Sequence, residues 1–194
     1  MKPLFILASS SERRISLLKK YGFNFIAVNH KLDKEPLFDD FDENISVEIF
    51  VQKLAVMKAK NLIDDYRQNY IIGADTVIYF NGKVYGKPKD LKDAFNMLKR
   101  LAGKTHEVYS GISVINRSKN IHLTGYDKTL VKIKRLNDKE INAYLSEYPP
   151  LDKAGSYGIQ DECGIVESYE GSFENVLGLP VQKLLPLLKE YNLM

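Results

Sequence analysis

Two arginines follow a run of serines close to the start of the sequence. Ser9 opens the run at residues 9–11, and Arg13 and Arg14 come after one intervening acid, Glu12. A predicted strand passes here into a predicted helix, and free backbone N–H groups at a helix N-terminus attract anions. Hydroxyl and guanidinium groups beside them would add strong hydrogen bonds to phosphate. The pattern predicts a phosphate cradle; the alternative is a solvated arginine pair beside a serine that only caps the helix.

An acidic residue interrupts the apolar segment at residues 71–78, which reads IIGADTVI. A carboxylate in such a strand must be paired, bind a metal or face a cleft. The following Asn81-Gly82 pair predicts a tight hairpin turn. Its return strand would pair Thr76 with Lys87, bringing Lys87 near Asp75, although a regular ladder points the two side chains to opposite faces. Asp75 could hold a divalent ion or act on water while Lys87 neutralises a phosphate. A structural ion pair and a solvated lysine remain open.

Four further residues are charged or polar candidates. Lys58 falls on the apolar stripe of the longest predicted helix, where it either snorkels to solvent or reaches into a cleft. Asp33 and Glu35 follow the second predicted strand and, taken alone, read as solvated loop charges. Gln160 lies in a glycine-rich segment and could contact a base edge or a phosphate, with a structural loop amide as the alternative.

These candidates are carried by an irregular succession of strands and helices. Strands are predicted at residues 3–8, 24–28, 70–80, 83–86, 105–116 and 121–134, and helices at 11–22, 45–66, 91–101, 137–147 and from 180 onwards. The segment at residues 154–178 is interpreted as glycine-rich loop. Because the pattern contains hairpins and no regular βαβ alternation, it predicts a mixed α/β fold with antiparallel hairpins in its sheet.

Composition narrows the class of protein. The chain has 194 residues, which favours one domain over two. Its net charge of +3 is too small to predict a nucleic-acid polymer or a membrane surface as partner. The single cysteine, Cys163, is read as a structural thiol and fits a reducing compartment, and the apolar run near the start is too short for a signal peptide or a membrane span. We therefore expect a cytoplasmic protein.

Together these clusters resemble the Maf family of nucleoside triphosphate pyrophosphatases over nearly the whole chain. The segments that carry the resemblance are residues 7–14 (LASSSERR), 58–59 (KA), 73–77 (GADTV), 86–88 (GKP), 106–111 (HEVYSG), 154–160 (AGSYGIQ) and 176–180 (VLGLP). The resemblance implies a single bilobed domain over residues 1–194. It also implies a twisted mixed sheet with flanking helices and a deep cleft between two lobes, similar to the inosine triphosphate pyrophosphatases.

The resemblance further implies hydrolysis of the bond between the α and β phosphates, which gives a nucleoside monophosphate and pyrophosphate. Asp75 and Lys87 would be catalytic, and Asp75 would hold Mg²⁺ or Mn²⁺ with Asp33 or Glu35. The residues expected to bind the nucleoside triphosphate are Ser9, Arg13, Arg14, Lys58, Lys87 and Gln160. Paired arginines and the absence of tryptophan favour the dTTP and UTP subgroup, and the family often forms homodimers.

Three residues depart from the family pattern. Glu12 stands where a proline usually precedes the arginines, and could compete for them. Lys34 separates Asp33 from Glu35, where the family usually has adjacent acids. Asp161 stands where a glycine usually follows the glutamine. Each departure concerns the geometry of the expected site.

The sequence is less consistent with functions other than hydrolysis. A nucleotidyl or phosphoryl transferase would need an acceptor site, for which there is no separate signature, and a scaffold protein would not need several converging clusters. A nucleotide-binding regulator of septum formation, without turnover, is the main alternative. Asp75 argues against the regulator, because a pure sensor needs the phosphate grip but no base. The biological role, between removal of unwanted nucleotides and control of division, stays open.

Overall fold

The structure is a computed structural model that describes residues 3–30, 32 and 35–193. Asp33, one of the two candidate metal-binding acids, therefore lies outside the described residues. The strands are β1 Phe5–Ala8, β2 Phe25–Val28, β3 Tyr70–Phe80, β4 Lys83–Tyr85, β5 Thr105–Asn116, β6 Ile121–Ile133 and β7 Val166–Glu170. The helices are α1 Glu12–Lys20, α2 Val47–Lys60, α3 Leu91–Leu101, α4 Asp138–Glu147, α5 Phe173–Leu177 and α6 Val181–Glu190.

The strands form one mixed sheet in the order β2-β1-β3-β5-β6-β7, with β4 paired to β3 outside this path. β1 is parallel to both β2 and β3, whereas β3 with β5, β5 with β6 and β6 with β7 are antiparallel. The long β5–β6 hairpin joins the strands predicted on either side of residues 117–120. The predicted class, mixed α/β with hairpins in the sheet, is confirmed.

The β3–β4 hairpin turns as predicted, but its ladder is shorter than the sequence indicated. Asn81 and Gly82 have φ angles of 49° and 76°, as a turn of the predicted kind requires. Pairing ends at Tyr85 opposite Ile78, so the predicted pairing of Lys87 with a β3 residue is wrong. The physical reason is that the carbonyl of the next residue, Gly86, accepts a 3.1 Å hydrogen bond from the backbone N–H of Gly155 instead.

The longest predicted helix, at residues 45–66, is shorter in the structure. α2 begins after Ser46, whose hydroxyl accepts a hydrogen bond from the N–H of Ile49, and it ends at Lys60. Beyond it the chain continues in tight turns, and Leu62 is fully buried. The apolar pattern continues beyond the end of the helix because the following turn packs Leu62 against the sheet.

Two glycines let α2 lie in backbone contact with the sheet. A Cβ atom on Gly73 of β3 would overlap the carbonyl oxygen of Ala55, and one on Gly111 of β5 would overlap that of Val51. Ser113 adds a hydrogen bond of 3.0 Å from its hydroxyl to the Ala55 carbonyl. Close approach of this kind requires residues without a side chain, and it holds α2 at a fixed height above β3 and β5.

The segment interpreted as glycine-rich loop contains structure that the sequence reading missed. It holds a short 3₁₀ turn at Ala154–Ser156, the edge strand β7 and the short helix α5. The hydroxyl of Ser172 accepts a hydrogen bond from the N–H of Asn175, and Gly178 ends α5 with a φ of 107°. A capping serine before the helix and a glycine after it were the available signals.

The state of the cysteine and the character of the helices are the remaining features of the fold. Cys163 is exposed and is not in a disulfide. No helix in the described part of the chain has the length and apolar character needed to cross a membrane.

Candidate active site

A cleft with a volume of about 670 Å³ opens beyond the carboxyl end of β1. Its walls come from the β1–α1 junction, the residues after β2, one position of α2, the strands β3 and β5, the chain after β4, and the chain from the end of α4 to the end of α5. The predicted site residues that the structure describes all line it: Ser9, Arg13, Arg14, Glu35, Lys58, Asp75, Lys87 and Gln160. Positions separated along the sequence therefore converge as expected.

Lys58 links two carboxylates on the floor of the cleft. Its ammonium group forms an ion pair with Asp75 and lies 2.9 Å from Oε1 of Glu35. Lys58 and Asp75 are buried, with 4% and 6% of their surfaces exposed. Of the two readings of Lys58, the one that places it in a cleft is confirmed. The lysine holds two acids together that would otherwise repel each other.

Lys87 contributes charge to this cluster without being the direct partner of Asp75. Among the ion pairs of the described residues, none joins Lys87 to Asp75. Burial by itself would raise the pKa of Glu35, but the positive charges of Lys58 and Lys87 outweigh it and hold that pKa below its usual value. Glu35 is therefore a carboxylate at neutral pH.

His30 belongs to the same cluster and was not predicted from the sequence. Its Nε2 lies 3.6 Å from Oε1 of Glu35, while its Nδ1 is buried without a hydrogen-bond partner. Burial, followed by the charge of Lys58, lowers the pKa of His30. The available signal was its position directly beyond β2, at the same edge of the sheet as Ser9 beyond β1.

Arg14 is held by three acceptors around the base of the cleft. Its Nε donates to the carbonyl of Gly178 at 2.7 Å, Nη2 to Oγ1 of Thr76 at 3.3 Å and Nη1 to Oγ of Ser9 at 3.4 Å. Ser9 in turn accepts the backbone N–H of Ser11 at 3.1 Å. Burial lowers the pKa of Arg14, and the nearby carboxylate of Asp75 partly offsets this effect. The guanidinium is thus pre-oriented as a fixed positive group.

Arg13 has a different role from its neighbour. Its Nη1 lies 2.5 Å from Oδ2 of Asp152, and its Nη2 donates to the Asp152 backbone carbonyl at 2.9 Å. Asp152 follows α4, so the pair joins the two sides of the cleft at an exposed position. Glu12, the departure next to Arg13 in sequence, lines the cleft, but among the ion pairs of the described residues Arg13 is paired with Asp152.

Gln160 lies in a turn at the rim of the cleft. The backbone N–H of Asp161 donates to the carbonyl of Gly158 at 3.3 Å, which closes a turn with Gln160 at its third position. The carboxylate of Asp161 accepts hydrogen bonds from the Tyr144 hydroxyl and from the Gly158 N–H. This departure from the family pattern is therefore built into the turn that carries Gln160.

The carboxylates present could take part in holding a divalent cation. In the described ranges, no group of three His, Cys, Asp or Glu side chains is arranged to hold a metal ion. Asp75 and Glu35 nevertheless lie around one shared cation, Lys58, and are close to each other. Mg²⁺ is usually bound by one or two carboxylates together with substrate phosphates and water. The pair fits such a site, in which the substrate supplies the remaining ligands.

The fold resembles solved structures over nearly its full length. The structure of the Staphylococcus aureus Ham1 protein has a TM-score of 0.53 and 15% sequence identity, and the match covers 97% of this chain and 99% of that one. At this identity the likeness concerns the fold alone.

Sequence comparison identifies much nearer relatives. A dTTP/UTP pyrophosphatase of Clostridium botulinum (strain Kyoto / Type A2) is 43% identical over 189 residues, which is 95% of each chain. One of Clostridium novyi (strain NT) is 45% identical over 186 residues, 92% of this chain and 93% of the relative. One of Thermosipho melanesiensis is 44% identical over 184 residues, 94% and 95% of the two chains. The family model described as "Maf-like protein" matches residues 4–191, and the chain therefore belongs to the Maf family.

Proposed function

We propose that this protein is a nucleoside triphosphate pyrophosphatase that cleaves between the α and β phosphates. The observation that carries the proposal is the ion pair of Asp75 with Lys58 on the floor of a cleft that Arg13, Arg14 and Lys87 also line. A carboxylate beside several fixed cations suits attack by water on a polyanion. The names of the relatives, dTTP/UTP pyrophosphatase, support the same reaction.

In the proposed reaction one proton is transferred from water to Asp75, and pyrophosphate is the leaving group. The oxygen of a water molecule forms a bond to the α phosphorus, and the bond from that phosphorus to the oxygen bridging to the β phosphate breaks. Asp75 accepts the proton that the water loses, and pyrophosphate leaves with the electron pair of the broken bond. Arg14 and Lys87 stabilise the negative charge that develops on this leaving group. Lys58 holds the Asp75 side chain in position through their ion pair.

A divalent cation, Mg²⁺ or Mn²⁺, is part of the proposal. Asp75 and Glu35 would hold it together with phosphate oxygens of the substrate, and Asp33 is a further candidate ligand. Bound there, the ion would neutralise phosphate charge and polarise the phosphorus that is attacked. Glu35 suits this role because its lowered pKa keeps it ionised at neutral pH.

The substrates proposed are dTTP and UTP. The relatives' names support pyrimidine triphosphates, and the cleft volume of about 670 Å³ lies within the range of small-molecule sites. A homodimer, expected from the resemblance, stays a prediction that a measurement of mass in solution would test.

The test is release of pyrophosphate and nucleoside monophosphate by the purified protein with Mg²⁺ or Mn²⁺. The substrates compared are dTTP, UTP, CTP, ITP, 7-methyl-GTP and the common purine triphosphates. Equimolar release of both products from a pyrimidine triphosphate is the expected result. Tight binding of nucleotide without turnover of any of them would contradict the proposal and favour the regulator of septum formation.

A further inference from the structure

The side chain of Asp161 is buried beside the cleft and has no part in the chemistry proposed above. Only 6% of it is exposed. Its Oδ2 accepts a hydrogen bond from the hydroxyl of Tyr144 in α4 and a second one, of 3.0 Å, from the backbone N–H of Gly158. Lys153 lies 3.9 Å from the same oxygen and compensates its charge. A buried carboxylate with this many partners has a defined position.

Asp161 and Gly158 close the turn between them from both ends. The N–H of Asp161 donates to the carbonyl of Gly158 at 3.3 Å, while the N–H of Gly158 donates to the carboxylate of Asp161. Ile159 and Gln160 are the two central residues. The N–H of Gly158 also lies 3.0 Å from the Tyr144 hydroxyl, which attaches the turn to α4. Tyr144 is itself buried and stacks on Tyr148, with 5.2 Å between ring centroids.

Gln160 depends on this turn for its position. Its side chain lines the cleft and is exposed. Among the hydrogen bonds of the described residues, none involves the side chain of Gln160, so only the backbone of the turn directs it. A side chain that is not held in place loses binding energy when it has to be ordered by a ligand.

We propose that Asp161 is a positioning residue, which holds the turn at residues 158–161 so that Gln160 points into the substrate cleft. The inference rests on the proposed function for its kinetic consequences. Removal of the carboxylate frees the turn, and Gln160 then has to be ordered by the substrate. The expected loss in kcat/KM is about 10-fold, the effect of one side chain that must be immobilised on binding.

The first experiment is a double-mutant cycle between Asp161→Ala and Gln160→Ala, with dTTP or UTP hydrolysis as the readout. The matched control is Asp161→Asn, which keeps an oxygen that can accept from Tyr144 and Gly158. We expect Asp161→Ala and Gln160→Ala each to lower kcat/KM about 10-fold. The double variant should have a kcat/KM no lower than that of the less active single variant, because both changes remove the same contribution. Asp161→Asn should stay close to the wild type.

Two kinetic outcomes would overturn the inference. One is an Asp161→Ala protein that is less stable to heat but has unchanged kinetic constants well below its unfolding temperature, as a purely structural residue would give. The other is a double variant whose loss is the product of the two single losses, because independent residues multiply their effects.

Hydrogen exchange of the backbone provides a readout that needs no activity. In the wild-type protein the Gly158 amide is protected by two acceptors. We expect Asp161→Ala to exchange at residues 158–161 on the order of 10-fold faster, with α3 unchanged as the internal control. Unchanged exchange at these residues would overturn the inference whether or not the wild type is active.

A wild-type protein that binds triphosphate without cleaving it would refute the proposed function alone. The same double-mutant cycle would then be measured with dissociation constants for the triphosphate in place of kcat/KM.

Discussion

Lys58 and Asp75 form a buried ion pair although one lies on α2 and the other in the middle of β3. The pair exists because α2 is in backbone contact with the sheet at Gly73 and Gly111. A helix one side-chain layer further away would leave the lysine short of the carboxylate. The charge cluster of the site therefore depends on two glycines that do not line the cleft.

Gly111→Ala tests this dependence. The added methyl group would overlap the Val51 carbonyl, which is backbone and cannot rotate away, so α2 has to move. We expect a loss of about 1–3 kcal/mol in the free energy of unfolding, measured with urea, together with lower activity. Gly125→Ala in β6 is the control, since its methyl group would meet no backbone but only side-chain atoms, of Leu187 at 3.3 Å and of Ile112 at 3.6 Å. Equal stability of both variants and the wild type would contradict the packing argument.

Asp75→Asn should remove the proposed base while preserving the shape of the side chain. We expect kcat to fall by about 10²- to 10⁴-fold, the usual contribution of a general base. Pyrophosphate release under saturating dTTP measures the effect. Asp39→Asn, at an exposed position outside the cleft, should retain full activity. Undiminished turnover in the Asp75→Asn protein would exclude Asp75 as the base.

Lys58→Met should leave two carboxylates close together in the cleft without their shared cation. Since removal of one partner leaves an uncompensated buried charge, we expect the free energy of unfolding to fall by about 3 kcal/mol. The pKa of Glu35, which the Lys58 charge lowers, should rise. Urea unfolding and titration of Glu35 by NMR measure the two effects. Lys60→Met, at an exposed position on the same helix, is the control; a similar small loss in both variants would contradict the prediction.

Because the pKa of His106 is lowered in the folded protein, we expect the protein to lose stability in mild acid. It is buried, its Nε2 lies 2.7 Å from the Tyr157 hydroxyl, and burial lowers its pKa to about 4 from 6.5. Between these values the unfolded chain binds a proton that the folded protein does not, so stability is complete above pH 6.5 and falls as the pH drops towards 4. The loss attributable to His106 at pH 5 is about 2 kcal/mol.

His106→Gln should remove this loss, because glutamine can hydrogen-bond to Tyr157 but does not titrate. The measurement is urea unfolding at pH 7 and pH 5. We expect the stability difference between the two pH values to be about 2 kcal/mol smaller in His106→Gln than in the wild type. His122→Gln, an exposed histidine on β6, should behave like the wild type. Parallel pH profiles for wild type and His106→Gln would refute the assignment.

Local patterns in the sequence were sufficient for most of the fold. The Asn81-Gly82 turn, the long strands on either side of residues 117–120 and the helix at Leu91–Leu101 follow from turn chemistry and periodicity. β7 was missed because it is an exposed edge strand with few apolar residues, and α5 was missed because its five residues are too few to show a period. The end of α2 was misplaced because Leu62 continues the apolar pattern in a turn, where burial and not helical geometry requires it.

The sequence by itself indicated most of the residues that line the candidate site, because a carboxylate in an apolar strand and arginines at a helix start are unusual wherever they occur. Only the tertiary structure decided their partners. Asp75 is paired with Lys58 and not with Lys87, Arg13 is paired with Asp152, and His30 lies against Glu35. No local rule relates positions as far apart as Arg13 and Asp152. Such pairs are chosen by the spacing of packed helices and strands, which depends on the whole chain.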